Sequence, residues 1–520
     1  MAILGSILKK GIIFSKLRLR EESFPEVKQY RELKKLLSTS KNTKFGKKFR
    51  FSEILGSGEK DYKKLYKAFK ENVPIYNYNK IFEEWWHLAM EGERDVCYPG
   101  QIKYFALSSG TSEAASKHIP LTKDLMDGIK RVAMRQVKSL SNYDLPDKVF
   151  TKGILMLGGS TELNKFGHYF EGDLSGIQAS KIPFWFQRFY KPGKTIAKNK
   201  DWNKKLEEIT LNARKWDIGF VVGVPAWIQL MMEDIIRYYK VKNIHEVWPN
   251  LEVFVHGGVS FDPYKKSFEK LLGKPLTYIE TYLASEGFIA FQTEPGKKGM
   301  TLMLDNGLFY EFVPFTENNF TESGDLVENP ETLMIDEIEE EKEYALLLNT
   351  NAGTWRYLIG DVIRFTDKAH AEIVITGRTK HFLSLCGEHL SVDNMNKGIK
   401  LVAEELNINI NEFAVVGVPY ATLFAHKWFL GVEDIALNLP EKKLASLLDE
   451  KLKELNDDYK TERNSALKEI LVHLLPVSLF YKWMKLKGKE GGQNKFPRVM
   501  KKKQLEEWEA FLEAEGFSLK

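Results

Sequence analysis

Three short apolar runs that end in glycine or at a proline constrain this fold most. They are Ile154-Leu155-Met156-Leu157-Gly158-Gly159, Ile218-Gly219-Phe220-Val221-Val222-Gly223-Val224 and Leu251-Glu252-Val253-Phe254-Val255-His256-Gly257-Gly258. Runs this short, bounded by glycine, read as buried strands. Helical stretches lie between them. One runs from Trp202 to Trp216, one from Ala226 to Tyr239 behind Pro225, and Pro263 opens another. Leu276 to Thr281 is strand-like again. Strands alternating with helices predict an α/β architecture with mostly parallel sheets, and ligands sit at the C-terminal ends of such strands.

The rest of the chain is less uniform. Residues 20–95 are helical, with Gln29, Leu33, Leu36 and Leu37 at helical spacing and Tyr62, Leu65, Tyr66 and Phe69 repeating it. Thr122 is placed to cap a helix reaching Leu140. From Met300 the period changes to two, with Leu302, Leu304, Leu308, Tyr310 and Phe312 on alternate positions. This predicts a small, antiparallel, β-barrel-like section. Beyond Gly377-Arg378 come a helix, strands at Phe413 to Val418 and Trp428 to Val432, and two long helices. The expected organisation is a large N-terminal α/β domain over 1–378, which includes the barrel-like section. A smaller α+β domain follows over 379–520.

Composition narrows the class. With 520 residues the chain can bury a large core without disulfides. Its two cysteines, Cys97 and Cys386, stand far apart and lack metal-type spacing, which predicts a reducing, cytoplasmic location and no zinc site. A net charge of +5 makes no case for nucleic-acid binding. No apolar run reaches the ~18 residues of a membrane span. The segment Met1 to Arg20, with Ile3, Leu4, Ile7, Leu8, Ile12, Ile13 and Phe14 among basic residues, reads as an amphipathic helix packed on the body. Membrane-surface contact is its second reading.

Chemistry gathers in a few loops. Tyr104-Phe105-Ala106-Leu107 runs into Ser108-Ser109-Gly110-Thr111-Ser112, and Lys117 follows. Small side chains let backbone amides approach a ligand, and hydroxyls and a lysine add donors, which suits a phosphate cradle. Alone, the same residues make an ordinary Ser/Gly turn. Tyr282-Leu283-Ala284-Ser285-Glu286-Gly287 puts a carboxylate at a strand end, where it can hold Mg²⁺ or simply face solvent. Tyr357-Leu358-Ile359-Gly360-Asp361 places an aspartate for ribose hydroxyls, or for an Asx turn.

The order of these signals is more specific than any one of them. The serine-rich loop with Lys117, Gly257-Gly258, Tyr-x-x-Ser-Glu, Tyr-x-x-Gly-Asp and Gly377-Arg378 together resemble the adenylate-forming enzymes. The finer pattern resembles the auxin-responsive (Gretchen Hagen) acyl-acid amido synthetases. It includes Val224-Pro225-Ala226-Trp227, Val255 to Phe261, Leu383-Ser384-Leu385-Cys386-Gly387-Glu388 and Gly491-Gly492-Gln493-Asn494-Lys495-Phe496-Pro497-Arg498. The resemblance spans Tyr30 to Arg498. Two positions depart from the pattern: Ala114 stands where the loop usually has glycine, and His381 stands where the hinge residue is often Asp or Lys.

The resemblance implies an ATP-dependent ligase that adenylates a small carboxylic acid and passes the acyl group to an amine, usually an amino acid. By the same resemblance, Ser108, Ser109, Gly110, Thr111, Ser112 and Lys117 hold phosphates. Glu286 holds Mg²⁺, and Asp361 and Arg378 hold the ribose. Gly257, Gly258 and Tyr282 bound the adenine, Ser285 borders the nucleotide, and His381 is the hinge on which the smaller C-terminal domain swivels. Val224, Trp227 and Phe288 are the candidates to line the acyl slot, with plain core packing the other reading of Trp227 and Phe288, and no basic residue stands out to select the acid. A thioester-forming acid–CoA ligase is the alternative enzyme, and a non-catalytic nucleotide-binding or acyl-binding protein the alternative of another class. Lys495 reads from charge alone as one more solvated lysine; its place in Gln-x-Lys-x-Pro-Arg assigns it to adenylation. Lys495→Ala is expected to slow acid-dependent ATP–pyrophosphate exchange by about 10²–10³-fold, and an unchanged rate contradicts that role.

Overall fold

The structure is a computed structural model. It describes residues 24–58, 61–108, 117–182, 184–258, 261–321, 324–379, 382–383, 385–386, 388, 390–432, 440–487 and 496–517. The amphipathic segment expected at the N-terminus lies outside these residues. Contacts divide the chain into two compact units near residue 380. Among the described residues no helix is long and apolar enough to cross a membrane.

The first unit opens with helices. Pro25–Ser40 buries Leu33, Leu36 and Leu37, and Gln29 within it is 1% exposed. That amide stays satisfied: it donates to the carbonyls of Leu304 and Leu308 and accepts from the Tyr310 amide. Phe45, Phe51 and Phe69, from three successive helices, pack around the Trp355 ring at 4.8–6.3 Å between centroids. Each such ring buries roughly 4–6 kcal/mol of apolar surface. Trp86 is also buried, and its indole donates to the Gly353 carbonyl.

The described strands of this first unit form two sheets. β1 (Tyr104–Ser108), β2 (Lys117–Leu121), β4 (Asn164–Phe166) and β5 (Tyr169–Asp173) make a small sheet ordered β2-β1-β5-β4. The large sheet begins with β3 (Gly153–Met156), β6 (Tyr190–Lys191), β7 (Ile218–Gly223), β8 (Val253–Gly257) and β9 (Thr277–Ala284), paired in parallel as β6-β3-β7-β8-β9. It continues antiparallel through β10 (Gly287–Phe291), β11 (Met300–Leu302), β12 (Leu308–Pro314), β13 (Glu343–Thr350), β14 (Tyr357–Asp367) and β15 (Glu372–Arg378). The β-rich section expected after Met300 is therefore the far half of one 11-stranded sheet. The helices expected behind Thr122 and Pro225 are Lys123–Ser139, capped by the Thr122 hydroxyl, and Pro225–Tyr239.

The second unit contains β16 (Phe382–Leu383), β17 (Leu390–Ser391), β18 (Ile410–Tyr420), β19 (Leu423–Val432) and β20 (Leu467–Pro476). Helices Val477–Leu486 and Lys502–Ala514 pack Phe480, Trp483, Trp508 and Leu512 onto Val416 and Phe429. β20 corrects the sequence expectation, which ran from β19 directly into two helices. It pairs in parallel with β19, and a short apolar run carries no period that separates buried strand from helix. Within this unit, Glu388 and His426 are both fully buried and 2.9 Å apart. Burial alone would raise the Glu388 carboxyl. Bonds from His426, the Cys386 and Leu385 amides and the His426 charge outweigh it and hold the group down to about 2.

A second buried pair ties the helices of the first unit to its sheet. Arg356 is 4% exposed, and its Nε lies 2.9 Å from a fully buried Glu311. The same guanidinium donates to the carbonyls of Lys70 and Val73 and to Thr332. Arg356→Met is expected to cost about 3–5 kcal/mol in urea unfolding because it strands the Glu311 charge, and the double variant with Glu311→Leu should recover much of that loss. A loss under about 1 kcal/mol in the single variant contradicts this reading.

Candidate functional site

Asp361 and Arg378 face each other across β14 and β15, and Arg378 Nε donates to Asp361 Oδ1 at 2.7 Å. The Tyr282 hydroxyl of β9 donates to the other oxygen, Oδ2. In sheet order β14 lies four strands from β9, on the order of 19 Å if the sheet were flat. A tyrosine side chain covers less than half of that. The antiparallel half must curl round to bring the two strands together, as the barrel-like expectation requires. Burial first, and then the Asp361 carboxylate, push the Tyr282 hydroxyl well above its usual range, so it stays a donor.

Ser285 and Glu286 form the two-residue loop between β9 and β10, where Ala284 pairs with Gly287. Glu286 is 5% exposed. Burial raises its carboxyl pKa and Asp361 adds to the rise, while its own backbone amide, Lys117 and Arg378 act against it. Tyr357, the first residue of β14, is fully buried; burial and then the Glu286 carboxylate raise its hydroxyl. Lys117 pairs with Ser108 where β1 and β2 meet, and its ammonium lies over the Tyr78 ring at 5.5 Å. Two cations and two carboxylates thus share one buried region, bordered by three tyrosines. Sequence reasoning gave no role to Tyr357 or Tyr78. Tyr357 opens a motif that had already been singled out; Tyr78 follows no recognisable pattern.

Gly257, Gly258 and Val224 lie at the ends of the parallel strands. Gly257 closes β8, and a Cβ there would meet the Thr281 carbonyl oxygen at 2.3 Å, so only glycine fits. Gly258 follows with φ +86°, and a Cβ on it would lie 3.5 Å from Val224 Cγ2. Val224 caps the helix that carries Trp227, whose ring meets Trp202 edge-on at 4.1 Å. Phe288 is 4% exposed and packs on Phe291 within the main core. The structure therefore brings Lys117, Tyr282, Glu286, Asp361 and Arg378 together. It sets Val224 beside Gly258 and gives Trp227 and Phe288 different neighbours. Ser109, Gly110, Thr111, Ser112, Ala114, His381 and Lys495 lie outside the described residues.

The described residues offer no group of three or more His, Cys, Asp or Glu for a metal ion. A single buried carboxylate, at Glu286, fits a Mg²⁺ held chiefly by phosphate oxygens, because Mg²⁺ commonly takes only one or two protein carboxylates beside its substrate.

Known proteins match this chain along most of its length. The GH3 family N-terminal domain matches residues 21–213, the central domain 301–378 and the C-terminal domain 393–504. The indole-3-acetic acid-amido synthetase GH3.2 of Arabidopsis thaliana is 21% identical over 406 residues, which is 66% of this chain and 71% of that protein. The jasmonoyl–L-amino acid synthetase JAR4 of Nicotiana attenuata is 23% identical over 358 residues, 57% of this chain and 60% of that one. The structure of the AtGH3.15 acyl acid amido synthetase with 2,4-DB aligns over 97% of this chain and 96% of its own, with a TM-score of 0.58 at 15% identity. A 2-hydroxyisobutyryl-CoA ligase with 2-HIB-AMP and CoA aligns over 91% of this chain and 88% of its own, with a TM-score of 0.55 at 11% identity. At such identities the structural likenesses establish the fold alone. By its three domain matches, taken in order along the chain, this protein belongs to the GH3 family.

Proposed function

We propose that the protein is an ATP-dependent acyl-acid amido synthetase, a ligase. In the first half-reaction a carboxylate oxygen attacks the α-phosphorus of ATP and the bond to pyrophosphate breaks. In the second, an amine nitrogen, that of an amino acid, attacks the acyl carbon and AMP leaves. The observation that carries this reading is the Asp361 carboxylate, gripped by Arg378 and Tyr282 beside Glu286, in a chain with all three GH3 domains.

The residues suit the chemistry. Acyl adenylation needs charge stabilised on phosphate more than it needs an acid or base. A carboxylate offers about four acceptor positions, and Arg378 and Tyr282 use two of those on Asp361, which leaves capacity for ribose hydroxyls. Lys117 and the loop from Ser108 to Ser112 are assigned to the β,γ-phosphates, with Gly257, Gly258 and Ser285 bordering the nucleotide. Mg²⁺, held through Glu286, would neutralise phosphate charge. The Lys495 charge is assigned to the attacking and leaving oxygens. Val224 and Trp227 are assigned to the border of the acyl group. Buried thiols at Cys97 and Cys386 suit a reducing, cytoplasmic setting.

The fold likeness to a CoA ligase keeps thioester formation as the second reading, and the nucleophile separates the two. Acid-dependent pyrophosphate exchange over a panel of aromatic, fatty and hydroxy acids should identify the acid. AMP release with that acid should then rise with an amino acid and not with CoA. The reverse preference overturns amide formation, and exchange with no acid overturns the enzyme reading. Asp361→Asn is expected to raise the ATP KM by about 10–100-fold, the scale of charged hydrogen bonds lost at a ribose. An unchanged ATP KM removes Asp361 from the nucleotide site.

A further inference from the structure

Helix Trp202–Asn212 carries a lysine that the proposed chemistry does not use. Lys205 is 3% exposed. Its ammonium donates to one acceptor, the Gly158 carbonyl, at 3.2 Å, and forms no ion pair among the described residues. A buried ammonium with three donors and one acceptor is costly unless an anion compensates it. Asp173 is the acid whose charge bears on it, and burial still lowers the Lys205 pKa. One turn away on the same face, Trp202 Nε1 is buried without an acceptor among the described residues. Lys205 also lies over the Trp202 ring, at 5.6 Å.

These two donors stand where the parallel strands end. Gly158 follows β3, and Trp202 packs on Trp227, whose helix follows β7. The carboxyl ends of such strands are the ligand-binding edge of an α/β sheet. β3 lies three strand positions from β9, so the strand end that holds Lys205 through Gly158 and the strand that leads to Glu286 stand on the order of 14 Å apart across the sheet. That is too far for a lysine to meet the carboxyl that is being adenylated, and suits the opposite end of the same acid.

Resting on the synthetase reading, we propose that Lys205 and Trp202 form a polar end of the acyl site that binds a second carboxylate, so the acid substrate is a dicarboxylate. An anion is favoured over a neutral oxygen because it offsets the buried charge while accepting from both donors.

The test compares pyrophosphate exchange across a series of dicarboxylic acids with monocarboxylic acids of equal chain length. The wild-type enzyme should prefer the dicarboxylate by about 10–100-fold in kcat/KM, the scale of a charged hydrogen bond. Lys205→Met should abolish that preference, Lys205→Arg should retain most of it, and circular dichroism reports whether each variant is folded. The wild-type preference can be read even where a variant does not fold. Strong exchange with monoacids that match or exceed the diacids overturns this inference and leaves the synthetase reading standing. A folded Lys205→Met that keeps the preference also overturns it. Exchange with no acid of any class overturns both.

Discussion

The Arg356–Glu311 pair is the contact on which the first unit depends. Two charges are taken wholly out of water, so neither can be left without the other. Arg356 spends its donors on β12, on the last turn of helix Tyr62–Asn72 and on Thr332, which locks the helical layer to the sheet. Its backbone sits at φ +41°, an uncommon position for a residue with a side chain. The next residue is Tyr357, and four residues further on is Asp361. The pair thus anchors the start of the strand that supplies the proposed site with its central carboxylate.

From that anchor the site's electrostatics follow. Burial, and with it the nearby Asp361 carboxylate, disfavours ionisation of Glu286. Arg378 and Lys117 supply the opposing charge. Tyr282 and Tyr357, each fully buried with its hydroxyl pushed up, stay protonated at neutral pH and donate or border rather than repel. The raised Glu286 carboxyl marks a position where a cation is favourable, in keeping with the proposed Mg²⁺ role.

Much of this was legible in the sequence. Local chemistry set the helix starts: Thr122 caps with its own hydroxyl, and Pro225 opens a later helix at a position that needs no amide. The strand-to-glycine runs marked β3, β7 and β8, and Gly257 is forced by its approach to Thr281. What stayed hidden was long-range. β20 was missed because it is defined by pairing with β19 and not by its own period. The convergence of Tyr282 on Asp361 depends on the curl of a sheet spanning nearly 80 residues of chain between them. Lys205 follows another lysine, Lys204, and nothing in the sequence tells the exposed one from the buried one.

The central claim is that the acid is activated through an acyl-adenylate. Supplying the acid with ¹⁸O in its carboxyl group and weighing the nucleotide product tests it most directly. Attack of the carboxylate on the α-phosphorus, followed by release at the acyl carbon, leaves one labelled oxygen in AMP. Label in inorganic phosphate, with ADP as the nucleotide product, would show an acyl-phosphate route and contradict the account.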